Sequence, residues 1–145
     1  MPHTMNMKST ILILFSLTIT VSSFKSQEVI SLYDLKTSSD SGKIHVEKLI
    51  TSELSSTFFI TIKEQVAPHI HAEHDEQVFV ISGRGKFYLN GEIQIIKKGD
   101  FIFIPRKTPH AVKVISNKPL KVISIQTPEF NGTDRIPISI SNFQN

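Results

Sequence analysis

Two short stretches of this chain gather residue types that together bind metal ions. Residues 68–83 contain His69, His71, His74 and Glu76, and residues 99–110 end on His110. On a β-strand, residues two apart share a face, so His69 and His71 point the same way, about 7 Å apart along the chain, and can converge on one ion. Residues 72–75 read as a loop or turn. The chain can reverse there and swing the carboxylate of Glu76, at the head of an apolar run, back toward the two imidazoles. His110 follows a turn bounded by Pro105 and Pro109 and opens a further apolar run, which places it at a strand end and at the mouth of a barrel. Three imidazoles and one carboxylate suit iron, manganese, nickel, copper or zinc far better than calcium or magnesium. The expectation is one divalent transition-metal ion held by His69, His71, Glu76 and His110. The chain has no cysteine, so its metal ligands must be nitrogen and oxygen.

Positioning these residues requires strands. Apolar, β-favouring runs recur at residues 44–49, 58–62, 78–81, 86–89, 93–96, 101–104, 112–115 and 120–125, with turn residues in the gaps. Asn90-Gly91, between residues 87–89 and 92–95, is a strong hairpin signal, because both residues tolerate the positive φ of a type I′ turn. Gly83-Arg84-Gly85 looks superficially like a phosphate loop, but no helix follows it, so it reads as a tight turn between strands. Phe101 and Phe103 alternate with Ile102 and Ile104 and read as barrel and sheet packing. Residues 28–145 show no amphipathic helix. Many short strands at regular spacing predict an all-β sandwich or barrel.

The chain has 145 residues, of which 39% are apolar, enough for one modest core. No internal repeat or long linker divides it. Its formal charge is +3, but two of its 16 basic residues, Lys8 and Lys25, lie in an N-terminal segment with the order of a signal peptide, leaving 14 basic against 13 acidic residues. No basic stripe interleaved with aromatics is present, so a nucleic-acid partner is not expected. In the leader, Lys8 precedes an apolar run at residues 11–21 and then Ser22-Ser23. Eleven residues fall short of the roughly 20 needed to span a bilayer. The competing reading is a buried N-terminal strand. We expect residues 1–27 to be a signal peptide with an upstream extension, and residues 28–145 to be one exported domain, periplasmic or secreted, with its core at about 44–126.

The two histidine-bearing segments resemble the paired signatures of the cupin superfamily, G-x5-H-x-H-x4-E-x6-G and G-x5-P-x-G-x2-H-x3-N. His69, His71, Glu76 and Gly83 match the first, and Gly99, Pro105 and His110 match the second. Lys63, Lys107 and Val114 stand where the signatures have Gly, Gly and Asn, which puts local backbone shape in question and leaves the ligand positions intact. The resemblance implies a double-stranded β-helix, a jelly-roll barrel with one metal site inside its mouth. It is similar to small flavonol-dioxygenase-like cupins, which implies a metal-dependent oxidoreductase acting on a small organic substrate. There Glu76 would double as general base by loosening from the metal. Two other classes stay open: a non-catalytic cupin that binds a sugar or other small molecule, and a metal-dependent isomerase or lyase.

Other residues carry weaker expectations. His74 lies between the ligands, where it either faces solvent near the mouth or supports the site or substrate. His45 reads as structural, and Glu73 and Asp75 either tune the site or are simply solvated. The apolar runs at 58–62 and 101–104 leave an outer sheet face rich in Ile and Phe, which predicts a homodimer.

Overall fold

In the computed structural model, which describes residues 29–35 and 42–140, the described residues form ten strands and no helix. In chain order these are β1 (Ile44–Ser52), β2 (Ser55–Ile62), β3 (Gln65–His71), β4 (Asp75–Ser82), β5 (Arg84–Leu89), β6 (Glu92–Lys97), β7 (Phe101–Ile104), β8 (His110–Val114), β9 (Leu120–Thr127) and β10 (Arg135–Pro137). They make two five-stranded sheets, β1-β2-β9-β4-β7 and β10-β3-β8-β5-β6, antiparallel throughout. This is the all-β jelly roll that the strand pattern and the resemblance implied. The leader expected at residues 1–27 lies outside the described residues.

Period-two alternation decides what lies between the sheets. On β4, Val78 and Val80 face inward; on β9, Leu120 and Val122 do the same, and Ile60 and Ile62 oppose those two from β2. Phe87, Ile96, Ile104 and Val112 complete the core from the other strands. The turns follow their residue chemistry. Asn90 and Gly91 hold φ of 46° and 99° between β5 and β6, as a type I′ hairpin requires. Gly83, at φ 82°, makes the tight turn from β4 to β5, and a Cβ there would sit 2.5 Å from the Pro119 carbonyl oxygen.

Two features differ from the sequence reading. Phe101 and Phe103 are 60% and 52% exposed, so only Ile102 and Ile104 of β7 turn inward. β7 is an edge strand, and nothing among the described residues packs over its outer face to bury the two rings. The tail after Thr127 also supplies a strand, β10, which pairs with β3 beside the histidines.

Candidate metal centre

The first pair of histidines depends on a bulge in β3. β3 pairs with β8 through Val66 and Val112 and again through His69 and His110, so β3 spends one residue more than its partner between these points. Pro68, which has no N–H to offer a ladder, sits in that irregular stretch. The bulge leaves the Ala67 carbonyl free to accept a hydrogen bond from Nδ1 of His69 at 2.9 Å. Thr108 does the same for His110, its carbonyl accepting from Nδ1 at 2.9 Å. In both rings a proton on Nδ1 leaves the Nε2 lone pair free, the tautomer a metal ligand needs.

The other two groups arrive from neighbouring strands. His71 and Glu76 flank the bend from β3 to β4, and Glu76 Oε2 lies 3.7 Å from His71 Nε2 and 3.3 Å from His110 Nε2. Ser124 on β9 donates a hydrogen bond to the second carboxylate oxygen of Glu76. The turn before His110 is tied down at two points. Arg106 donates to Asp75 through its backbone N–H and through Nε and one terminal nitrogen of its guanidinium, and the Lys107 N–H reaches the His71 carbonyl. Asp75 is thus an anchor for the His110 turn and not a merely solvated acid; Arg106 holds its pKa below the ordinary value. Lys107 itself adopts φ 63°, so the backbone keeps the left-handed shape for which the cupin signature has glycine.

His69, His71, His110 and Glu76 are all at least nine-tenths buried. Ligand nitrogens of the three histidines lie within 4.8 Å of one another. Burial, reinforced by neighbouring His110 and Arg135, lowers the pKa of His69 to about 3. Burial also lowers His71, against the opposing pull of Glu76 and Asp134. Burial works to protonate Glu76, but His110, Ser124 and His71 together outweigh it and hold its pKa well below the usual carboxylate range. Near neutral pH, burial therefore favours neutral imidazoles at His69 and His71 while Glu76 is ionised, the protonation states in which these groups ligate. His110 Nε2 and His71 Nδ1 are buried without a hydrogen-bond partner. The donor set and the orphaned His110 nitrogen fit a divalent transition ion. These groups line one end of a cavity of about 350 Å³, whose other walls are largely apolar.

His74 departs from the solvent-facing alternative. It is only 2% exposed, and both ring nitrogens are engaged: Nδ1 with the Asp134 carboxylate, Nε2 with the Glu129 carbonyl at 2.8 Å. A ring with two acceptors carries both protons. The burial penalty is outweighed by Asp134 and the Glu129 carbonyl, so the His74 pKa is raised and that of Asp134 lowered. Asp134 also accepts from the backbone N–H groups of Glu73 and His74, at 2.9 and 3.2 Å, and its Oδ2 lies 3.7 Å from Nδ1 of His71. Phe130 packs edge-on against His71 and His74. Asp134 and Phe130 were missed in the sequence because they lie beyond the core expected at about 44–126, in a segment that carries no motif.

The profile of the Cupin domain family matches residues 58–126, which span both histidine-bearing segments. The chain belongs to the cupin superfamily. A curated relative from Aquifex aeolicus, an uncharacterized protein, is 35% identical over 98 residues, covering 68% of this chain and 80% of the relative. Among solved structures, this cupin is similar to a Klebsiella pneumoniae protein with a double-stranded β-helix domain (TM-score 0.68, 17% identity, 79% of this chain and 100% of that one). It is also similar to the polyketide cyclase RemF of Streptomyces resistomycificus (TM-score 0.65, 17% identity, 81% of this chain and 89% of that one). At these identities the structural likeness shows the shared fold. Among the described residues of this cupin, no helix is long and apolar enough to cross a membrane.

Proposed function

We propose that this cupin holds one divalent first-row transition ion on His69, His71, Glu76 and His110 and is a dioxygenase-like metal-dependent oxidoreductase acting on a small organic substrate. The observation that supports the reading is the convergence of three buried imidazoles and a buried carboxylate on the wall of a largely apolar cavity. Burying such groups opposes folding unless a partner compensates. A bound transition ion supplies redox or Lewis-acid chemistry at that wall. The chain's own residues set the stage. Ala67 and Thr108 fix the rings of His69 and His110, and Ser124 holds one oxygen of Glu76. The other oxygen, facing His71 and His110, is placed to take a proton from a substrate in the cavity. The apolar walls exclude water from that transfer.

A second reading, isomerase or lyase chemistry without oxygen, is favoured by the Ser124 hydrogen bond, which suits a base held in one place. Metal analysis of the purified protein, followed by oxygen uptake with flavonols and diketones, separates the readings. We expect metal-dependent oxygen uptake that Glu76→Gln abolishes. Turnover without oxygen uptake would transfer the assignment to isomerase or lyase, and metal retention without turnover to a binding protein.

Two further readings belong to this proposal. Export rests on the apolar run at residues 11–21 and is tested by the N-terminal mass of the mature protein. Homodimer formation rests on the exposed outer face of the first sheet, where Phe79 and Phe101 are cross-strand partners and Phe103 lies beside them. Light scattering should give twice the monomer mass; a monomer at micromolar concentration would overturn it.

A further inference from the structure

We infer that the cavity is built for a small organic acid with an apolar body, its carboxylate received by Arg135 and the Gln126 amide. The inference deepens the proposed function and rests on it in one respect, that the acid shares the cavity with the metal. Arg135 pairs with His71 across β10 and β3, so both side chains lie on the same face of the sheet, toward the cavity that Arg135 helps to line. One terminal nitrogen donates to the Ala67 carbonyl at 3.3 Å and lies 3.4 Å from Nδ1 of His69. A guanidinium carries five N–H donors in a planar fork, so most of them are still to be used. Arg106 spends its fork on Asp75, whereas no carboxylate among the described residues forms a salt bridge with Arg135.

Gln126 is the second observation. It lies opposite Glu76 in the pairing of β4 with β9, lines the cavity, and is 6% exposed, yet its side-chain oxygen has no hydrogen-bond partner. A buried amide left unpaired on a cavity wall is an exception that a bound polar group resolves. An amide placed there can turn its NH₂ toward an anion as readily as its oxygen toward a donor.

Charge selects the class of ligand. A divalent ion and Arg135 contribute positive charge, Glu76 cancels part of it, and the buried His74 and Asp134 cancel each other. Arg135 is itself exposed at the edge of the cavity and its charge is partly met by water, but the occupied site still carries an excess of positive charge against largely apolar walls, which an anion relieves and a neutral or cationic ligand does not. One guanidinium fork matches one carboxylate. A phosphate would bring up to about two charges into the same space with no second basic side chain to meet them. The cavity wall that Arg135 shares includes Phe58, Val66 and Phe130 and is largely apolar, which suits the body of the acid. At about 350 Å³ the cavity is near the lower end of small-molecule sites, so a single ring or a short chain is the expected size.

The test is a binding titration on the metal-loaded full chain with propionate, benzoate and phenylacetate, each beside its neutral amide, followed by calorimetry and ligand-observed NMR. At least one acid should bind about tenfold or more tightly than its amide, as expected for a charge-assisted hydrogen bond. Arg135→Gln should erase that preference without changing metal content or melting temperature, and Arg135→Lys should keep part of it. The inference is overturned if no acid binds at millimolar concentration, if acid and amide bind alike, or if Arg135→Gln retains the preference. Metal content measured on the same samples separates the two claims. An Arg135-dependent acid preference in protein that takes up no metal would sink the metal reading alone, and a metal-loaded protein indifferent to the carboxylate would sink this inference alone.

Discussion

The two ends of the cavity are made by the same strands with the same pleat, yet one end is polar and the other apolar. Along β9 the inward residues run Gln126, Ser124, Val122, Leu120, and along β4 they run Glu76, Val78, Val80. Both ends are dry. Leu120 and Val80 have no exposed surface, and Glu76 and His110 keep only 7% and 4%. What differs is the free energy of that burial. Apolar side chains removed from water stabilise the fold, by about 1.5–3 kcal/mol for each large one. Buried polar groups oppose folding wherever partners are missing, as they are for His71 Nδ1, His110 Nε2 and Gln126 Oε1. The pleat aims side chains without regard to their type, so one end of the barrel can hold the fold together while the other carries groups that folding alone would not select.

The comparison can be broken most severely at the tail. Asp134→Asn removes the anion from a buried pair and leaves the His74 imidazolium facing a neutral amide, so we expect a loss of about 3–5 kcal/mol in urea unfolding. A loss below about 1 kcal/mol, the value of a surface pair, would show that His74 is neutral in the folded state. At the other end, Leu120→Ala should cost about 2–5 kcal/mol by enlarging an apolar space, with metal content unchanged. If metal content fell with it, the two ends would not be independent.

The pH dependence of the metal-free protein sharpens the contrast. His69 has a folded pKa lowered to about 3, and His71 is lowered as well, so the unfolded chain binds protons that the native state refuses. Stability is therefore full above the unfolded value of about 6.5 and falls as pH drops toward the folded values, by about 2 kcal/mol near pH 5 from His69 alone. Denaturation curves at several pH values would show it, and His69→Gln should flatten the slope. The smallest effect is expected at Lys107. Glycine there relieves a left-handed backbone, offset by the greater freedom of glycine in the unfolded chain, for a net gain of roughly 0.5–1 kcal/mol in melting experiments.

What was legible in the sequence follows the same division. Eight of the strands, β1, β2 and β4 to β9, could be read because each carries an apolar run or a turn signal such as Asn90-Gly91. β3 has no such run and was inferred only from the two-residue spacing of His69 and His71, and those residues with Glu76 and His110 could be read because their spacing is local along two strand ends. The structure brings all four together at one end of the cavity. β10 could not be read: three residues, Arg135–Pro137, are too short for a periodic pattern and gain their place only by pairing with β3. Asp134 was invisible for the same reason, since its partner His74 is 60 residues away and nothing local ties them. The expected outer apolar face is present at Phe101 and Phe103 but not at residues 58–62, where Phe58 and Phe59 are buried, because an apolar run does not say which of its faces has a second layer to cover it.

The central claim, one transition ion held by three histidines and Glu76, is tested most directly by the metal content of wild type and His110→Ala, purified in parallel and reloaded with each of iron, manganese, nickel, copper and zinc. His110 sits at a strand end beside the cavity, so its truncation should leave the metal-free melting temperature nearly unchanged. We predict one ion per chain in wild type and a drop of about tenfold or more in affinity for the variant, as expected when one ligand of a transition-metal site is removed. Equal metal retention by the two proteins, or no retention by wild type, would contradict the account.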